Sequence, residues 1–596
     1  MAVSGDRGVR KTHQRSVFRS FHCLILWLIV SVSAVPVLGA GSVRNPETYV
    51  HAVSGDLDTL DYAFAWDIPS STTIANIYET LIDFDGVHTD RFVPLLATAV
   101  PSMRNGLISP DGRTYTFPIR QGVRFHDGTL MTAEDVAYSL RRFLLIGAPV
   151  SSLLLEPFLG IYHVQDDRGN LLITFADLQR VIRVQRTSVV LTLREPFGAF
   201  TSLLAGFSFV VSRRWAAANG DWSGTASTMR TYVNAREGST PFHAQANGTG
   251  PFRLERWDRA NRELVLIRND AYWQTPPRLR RVVLKTVTDT STRILMLKAG
   301  DADSISISER DLPLVEGAAG IRVIDRLRQN TIVGAVMWFV AEVETQGSPY
   351  VGSGRLDGQG VPGDFFADVH VRRAFGYAFD YSALIAAAYR GKALPARGMF
   401  PEGMLGYSAR QEYFTHNADR AKEEFKAAFN GAVWERGFRF TIVYSTGNSE
   451  REALASILKQ SIESLNPKFA IDVRSLLWSS YLSELRQHRL PLFLTGFFAD
   501  YPDAHNFAYG FLHSASMNFQ RFRTPAEVDR LIIAALREGN PRRREELYFE
   551  VNRKYFELAP SIVLANPFGL RVQRSWVRGW YFNPARFFRY YPIWKE

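Results

Sequence analysis

The residues best suited to chemistry lie in one short run, Asp500-Tyr501-Pro502-Asp503-Ala504-His505, which holds two carboxylates and an imidazole. Groups of these types can ligate a divalent metal or act as the acid and base of a hydrolase. Pro502 interrupts the run, and the sequence offers no second cluster of His, Asp and Glu to complete a metal shell. A secreted metal-dependent hydrolase is therefore one alternative that the sequence leaves open.

A second candidate, His126-Asp127-Gly128, has the residue types of half a catalytic triad. Adjacent side chains rarely point at one another, and Asp-Gly after an alternating strand is typical of a turn. The sequence contains no G-x-S-x-G, H-E-x-x-H or phosphate-loop motif. The sequence therefore offers no convincing catalytic motif, and no cofactor is predicted.

Asp500 is also placed to bind an organic ligand. The apolar run from Leu490 to Phe498 is typical of a buried strand, so Asp500 follows the carboxyl end of that strand. Open α/β sheets bind ligands at this end, and a carboxylate there can hold a cationic group. The alternative is that Asp500 or Asp503 only caps a turn or a helix.

The elements around these residues alternate between strand and helix. Arg281-Val282-Val283-Leu284 reads as a strand and Thr290 to Leu297 as the helix after it, which favours an α/β fold. Thr132 followed by Asp135 predicts the N-cap of an amphipathic helix. Strand-rich stretches at 114–120 and 181–193 bracket this helix and indicate an inserted subdomain.

A second α/β lobe is predicted further along the chain. Helical periodicity returns at 419–429, 450–465 and 527–536, with strand-like runs such as 438–444 and 469–476 between these segments. The Gly-rich stretch 347–364 is either a functional surface loop or a disordered linker, between a strand ending near Phe339 and a helix beginning near Asp368. The aromatic stretch 562–596 is expected to return and complete a sheet elsewhere.

The N-terminus is typical of an export signal. Basic residues precede an apolar run from Phe21 to Leu38 that ends on small residues, which favours cleavage near Ala40 over a membrane anchor. The only cysteine, Cys23, lies inside this segment, so the mature chain would have no disulfide and no lipid-modified cysteine. Cleavage removes five basic residues and Asp6, which lowers the net charge from +11 to +7. Basic and aromatic residues form no single stripe, so no nucleic-acid partner is predicted.

Several motifs together resemble the family 5 extracellular solute-binding proteins, which include the periplasmic oligopeptide- and dipeptide-binding proteins of ABC importers. The resemblance runs from about Tyr49 to the C-terminus. The matching stretches are SPDGRTYTF at 109–117, RQGVRFHDG at 120–128, LMTAEDV at 130–136, GTGPF at 248–252, NDAYW at 269–273, KAGDAD at 298–303 and FADVHVRRA at 366–374.

This resemblance implies a type II periplasmic-binding-protein fold of the α/β class, with two lobes, a hinge and an inserted third domain. The implied first lobe is discontinuous, the second is continuous, and the domain boundaries are 1–40 for the signal peptide, 41–82, 230–292 and 563–596 for lobe 1, 83–229 for the inserted domain, and 293–562 for lobe 2. The resemblance also implies a monomeric, non-enzymatic periplasmic protein that closes on its ligand and docks on an inner-membrane ABC permease.

The resemblance further implies a peptide ligand whose α-ammonium binds Asp500. Trp478, Phe497 and Tyr501 are expected to shape the pocket, although core packing is an equal alternative for Trp478 and Phe497. Leu485 and Leu494 stand where some peptide binders have basic residues, which leaves Arg486 as the nearest candidate for the ligand carboxylate. An oligosaccharide or another non-peptide solute remains an alternative ligand, and a sensor or chaperone remains an alternative role.

Overall fold

A computed structural model describes residues 43–596, except 66, 167, 447, 515 and 517–521, and except the side chains of 149, 478 and 479. The signal peptide and its cleavage near Ala40 fall outside the described residues. The strands, in chain order, are β1 Thr48–Val53, β2 Ile82–Phe84, β3 Phe92–Pro94, β4 Thr114–Pro118, β5 Ile182–Gln185, β6 Ser188–Thr192, β7 Phe252–Asp258, β8 Glu263–Arg268, β9 Arg281–Thr286, β10 Ser304–Ile305, β11 Ile321–Leu327, β12 Ile332–Phe339, β13 Ala393–Pro395, β14 Phe438–Ser445, β15 Phe469–Leu476, β16 Leu492–Phe498, β17 Ser561–Pro567, β18 Gly569–Arg574, β19 Val577–Arg578 and β20 Trp594–Lys595.

The α-helices are α1 Ile68–Ile77, α2 Ala133–Ile146, α3 Ser152–Leu159, α4 Phe175–Val181, α5 Phe200–Phe207, α6 Arg213–Ala218, α7 Ala226–Tyr232, α8 Thr290–Ala299, α9 Val369–Ala378, α10 Tyr381–Tyr389, α11 Ala418–Ala427, α12 Ala432–Arg436, α13 Ser449–Glu463, α14 Trp478–Arg486, α15 Ala504–Leu512, α16 Ala526–Arg537 and α17 Pro541–Leu558. Among the residues described, none of these helices is long and apolar enough to cross a bilayer. The strand and helix predicted at 281–284 and 290–297 are confirmed as β9 and α8.

Two mixed sheets dominate the described chain. One has the order β11-β18-β10-β1-β9-β8-β7, and the other has the order β13-β17-β12-β16-β14-β15. The C-terminal segment supplies β17 to the second sheet and then β18 to the first, which confirms that this aromatic stretch returns to complete a sheet. The two sheets are therefore joined by chain crossings at β11–β12 and β17–β18.

Helix α2 lies between the predicted strand-rich stretches and begins as its sequence predicts. The Thr132 side chain accepts a hydrogen bond from the Asp135 N–H, and the Asp135 carboxylate accepts one from the Thr132 N–H, which completes a capping box. The helix ends at Gly147, whose left-handed backbone favours glycine. Strands β4, β6 and β5 form a separate small sheet beside it.

The domain boundary proposed at residue 293 is not where the first sheet ends. Strand β10 pairs in parallel with β1, and β11 pairs antiparallel with β18, so residues 304–327 belong to the first sheet. Strand β17 pairs with β12 in the second sheet, which extends that sheet to Pro567 rather than 562. Sequence periodicity places strands along the chain but does not show which sheet each strand joins. The other proposed boundaries stay predictions.

The Gly-rich stretch 347–364 is an ordered loop that packs on the second sheet. Its Tyr350 carbonyl accepts a hydrogen bond from the Thr441 N–H of β14, at 2.8 Å, and Val361 donates to the Val351 carbonyl, at 2.9 Å. Tyr350, Val351 and Val361 are buried. These contacts favour a structural loop over a disordered linker.

Candidate functional site

Asp500 lies two residues beyond the end of β16, as predicted. Its N–H donates to Oδ1 of Asn506 at 3.1 Å, and Nδ2 of Asn506 donates back to Oδ2 of Asp500 at 3.2 Å. Within the described chain, no cation forms an ion pair with this carboxylate. Burial raises the pKa of Asp500 to about 6, although the Asn506 hydrogen bond lowers it. This carboxylate is therefore costly to keep ionised until a cation reaches it.

A small cavity of about 40 Å³ lies against Asp500, and four parts of the chain line it. The loop after β16 contributes Phe498 to Pro502, and β2 contributes Phe84. Helix α5 and the residues after it contribute Ala205, Gly206 and Phe209, and the C-terminal segment contributes Pro584 to Phe587 and Arg589. The volume suffices for a few water molecules at most. A larger ligand can bind here only when these parts move apart.

Tyr501 also lines this cavity, but its hydroxyl contacts the His505 imidazole. It lies 2.7 Å from Nδ1 of His505, and both residues are buried. The His505 ring packs edge-on against Phe197 at 5.4 Å. Burial lowers the pKa of His505 to about 3, so its imidazole is neutral.

Asp503 has a structural role that separates it from Asp500. Its carboxylate accepts two hydrogen bonds from Arg544, at 2.7 and 3.0 Å, and it caps α15 by accepting from the His505 N–H. This is the capping role that the sequence left open. The described part of the chain contains no group of three or more His, Cys, Asp and Glu arranged to hold a metal.

Phe497 and Arg486 are not brought into the cavity that Asp500 lines. Phe497 packs against Phe507 and Phe511 at ring distances of 5.4 and 5.0 Å, and it lines a neighbouring cavity of about 290 Å³. The two cavities share Phe498, whose surface is 47% exposed. Arg486 is the exposed last residue of α14. The side chain of Trp478, which begins α14, lies outside the described part.

Sequence reasoning missed two cationic residues of the cavity wall, Arg586 and Arg589. Both follow Pro584 in the C-terminal segment, and Nη2 of each pairs with the buried carboxylate of Asp83. They are about 500 residues from Asp83 in the chain. No local pattern could have placed them beside Asp500, because the cavity is made by chain segments that are distant in sequence.

His126 is held in a turn, as the turn interpretation predicted. Its Nε2 lies 3.0 Å from the Gly250 carbonyl, and Asp127 accepts hydrogen bonds from Thr129 rather than from the imidazole. Gly128 has a positive φ of 85°. Burial lowers the pKa of His126 to about 4. The His126 contact therefore holds the turn at 126–128 against the GTGPF stretch at 248–252.

Two mixed sheets connected by chain crossings, with a cavity at the carboxyl end of a strand, give the chain a two-lobed α/β architecture with a candidate ligand site. The family model for bacterial extracellular solute-binding proteins, family 5 Middle, matches residues 91–519. The chain belongs to this family.

The comparisons with individual proteins agree with this assignment. The Di/tripeptide-binding protein 2 of Pseudomonas aeruginosa is 24% identical, with 83% of this chain and 86% of that protein covered. The Glutathione-binding protein GsiB of Salmonella typhimurium is 26% identical, with coverages of 90% and 91%. The periplasmic binding protein DppA from Helicobacter pylori, solved with the peptide STSA, shares the fold with a TM-score of 0.70 at 22% identity, over 92% of this chain and 98% of that chain.

Proposed function

We propose that this protein is the periplasmic receptor of an ABC importer, that it captures peptides, and that Asp500 binds their α-ammonium group. One observation carries the proposal: a carboxylate at the carboxyl end of β16 lines a small cavity and forms no ion pair with a cation among the described residues. An ammonium group would compensate the cost of its burial. The peptide and glutathione ligands named for the two relatives above support the same ligand class.

The proposed receptor acts by binding and closure, without catalysis. The cavity is smaller than any peptide, so ligand enters while the lobes are apart and is enclosed when they close. Closure excludes water, which strengthens the contact between Asp500 and the ammonium. The protein then acts as a monomer that delivers ligand to an inner-membrane permease.

The contacts of Asp503 and His505 support structural roles for these residues over the acid and base of a hydrolase. Asp503 is committed to Arg544, and Nδ1 of His505 faces Tyr501. A non-peptide ligand is compatible with the same fold. The experiment below distinguishes such a ligand from a peptide.

Calorimetry on refolded, ligand-stripped protein tests the ammonium site. We expect di- to tetrapeptides with a free N-terminus to bind, and we expect N-acetylation to remove most of the affinity. Asp500→Asn should weaken binding of the free peptide by about 2 to 5 kcal/mol, because the buried ammonium loses its counter-charge. The variant should no longer distinguish free from acetylated peptide.

Asp419→Asn is the matched control, since Asp419 is on the exposed surface of α11 with its side chain 92% exposed. Its binding should equal that of the native protein. Binding of sugars alone would reject the peptide ligand, while equal affinity for free and acetylated peptides would reject Asp500 as the anchor.

A further inference from the structure

The larger cavity that Phe497 lines is a second candidate ligand site at the same edge of the second sheet. Its volume is about 290 Å³, and it shares Phe498 with the Asp500 cavity. The start of β12, the end of β16 and the first residues of α13 form its wall. Because β14 runs parallel to β16 and leads into α13, both cavities lie where these strands end. A ligand that reaches Asp500 can therefore extend into this cavity.

Glu450, in the first turn of α13, supplies the carboxylate of the larger cavity. It is half-buried, and among the described residues it forms no ion pair and accepts no hydrogen bond. The adjacent Arg451 donates from Nη1 to Oγ of Ser445 in β14, at 3.0 Å. Burial raises the pKa of Glu450, and although Arg451 lowers it, Glu309 raises it again. The Glu450 carboxylate is therefore costly to keep ionised until a cation enters the cavity.

A second acid, Glu309, adds negative charge near Glu450. Glu309 lies between β10 and β11, is 6% exposed, and pairs with Lys392 at 3.4 Å. In the described chain both of its carboxylate oxygens are buried without a hydrogen bond. Lys392 also pairs with Glu316 and Asp325, so its single charge is divided among three acids. Lys392 therefore compensates the charge of Glu309 only in part, and Glu309 in turn favours a cation beside Glu450.

The other walls of the larger cavity suit the aliphatic part of a long side chain. Val333, Ala335 and Leu454 line it, together with the ring of Phe497. Lysine and arginine have an apolar stem and a charged end, so they can cover apolar surface while the charge reaches a polar group. An apolar wall with one carboxylate matches that division.

We propose that Glu450 binds a basic side chain of the ligand, that of lysine or arginine, while Asp500 binds the α-ammonium group. This inference rests on the proposed function and narrows it to peptides that carry a basic residue. Two carboxylates in neighbouring cavities would select ligands with two cationic groups, because a neutral or acidic side chain leaves Glu450 without a counter-charge. The ligand preference would thus be set by α13 as well as by the loop after β16.

Calorimetry at pH 8 on refolded, ligand-stripped mature protein tests this site. The probes are Ala-Ala-Ala and its variants with lysine, norleucine or glutamate at each position, since norleucine has the apolar stem of lysine without the ammonium. At one position the lysine peptide should bind about 10- to 100-fold more tightly than the norleucine peptide. In Glu450→Gln the two peptides should bind equally well.

Charge reversal separates a direct contact from a structural role. Glu450→Lys should prefer glutamate to norleucine at the same position, which a residue that only stabilises α13 would not cause. Glu452→Gln is the matched control, because Glu452 is also in the first turn of α13 but is exposed and outside the cavity. It should keep the native preference for lysine. Far-ultraviolet circular dichroism confirms that each variant is folded.

The two proposals fail in different ways. If the native protein binds free but not N-acetylated Ala-Ala-Ala and shows no preference for lysine at any position, the Glu450 site alone is overturned. A lysine preference that persists in Glu450→Gln would overturn it as well. If the native protein binds none of these peptides, the proposed function fails and the Glu450 site fails with it.

Discussion

Folding favours the protonated form of Asp500, whereas binding of an ammonium group favours the ionised form. Burial raises its pKa to about 6, so the folded protein takes up a proton at this site more readily than the unfolded chain, whose value is 3.8. Protonated Asp500 therefore adds to the free energy of unfolding. This contribution is complete below pH 3.8 and is lost as the pH rises through 6. At neutral pH the ionised Asp500 therefore destabilises the unliganded protein, and a bound ammonium relieves that cost.

Asp500→Asn should accordingly stabilise the unliganded protein at pH 8 by about 1 to 2 kcal/mol, while it abolishes the ammonium site. At pH 4 the gain should nearly vanish, because the native carboxyl is then protonated. Urea denaturation at the two pH values measures both quantities. Asp503→Asn is the comparison: it should lower the free energy of unfolding, because it leaves the buried Arg544 unpaired. A loss of stability in Asp500→Asn at pH 8 would contradict this account.

Among the elements, helix α2 is held by a buried ion triad to the segment between β1 and α1 and to the segment between α6 and α7. Arg142 donates to both oxygens of Asp61, at 2.9 and 2.6 Å, and to both oxygens of Asp221, at 3.0 and 2.8 Å. The side chains are 0% exposed. Thr240 also donates to Asp61. The capping box sets where α2 begins, and the triad sets where it lies.

Arg142→Met should lower the free energy of unfolding by about 3 to 5 kcal/mol, because two buried carboxylates would lose their shared cation. Urea denaturation at pH 7 measures the change. Arg180→Met removes a cation from α4 that pairs with Asp177 but is 66% exposed, so it should cost less than about 1 kcal/mol. Similar losses for the two variants would show that the triad contributes no special stability. Peptide binding by folded Arg142→Met should persist, since Arg142 does not line the Asp500 cavity.

At the scale of the whole molecule, the predicted inserted domain contacts the helices that follow Asp500. Tyr162 stacks on Tyr509 of α15 at 5.6 Å, and Glu195 pairs with Arg537 at 2.6 Å. The Gly198 N–H also donates to the Leu536 carbonyl, at 3.2 Å. These contacts, with the Phe197–His505 ring contact, join the predicted inserted domain to α15 and α16.

Tyr509→Ala should shift the unliganded protein toward open forms, because it removes the stacked ring from this contact. Small-angle X-ray scattering should show a larger radius of gyration without peptide, and a return to the native value at saturating peptide. Tyr413→Ala is the control, since Tyr413 packs against Arg397 away from the cavities described above. An unchanged radius with and without peptide would mean that this contact does not govern closure.

Local patterns in the sequence specify the helices and strands. Strand β16, the cap of α2 at Thr132, the helices of the second lobe and the position of Asp500 just beyond a strand all follow from periodicity and capping, which act over a few residues. The motifs at 109–136 were sufficient to indicate the family, because they form a long and specific match.

The tertiary structure is needed to show which segments meet. It placed residues 304–327 in the first sheet and packed the loop at 347–364 on the second. It also left Arg486 exposed at a helix end and brought Arg586 and Arg589 to the cavity of Asp500. The physical reason is that strand pairing and cavity walls join residues hundreds of positions apart, and no local pattern in the chain specifies those partners.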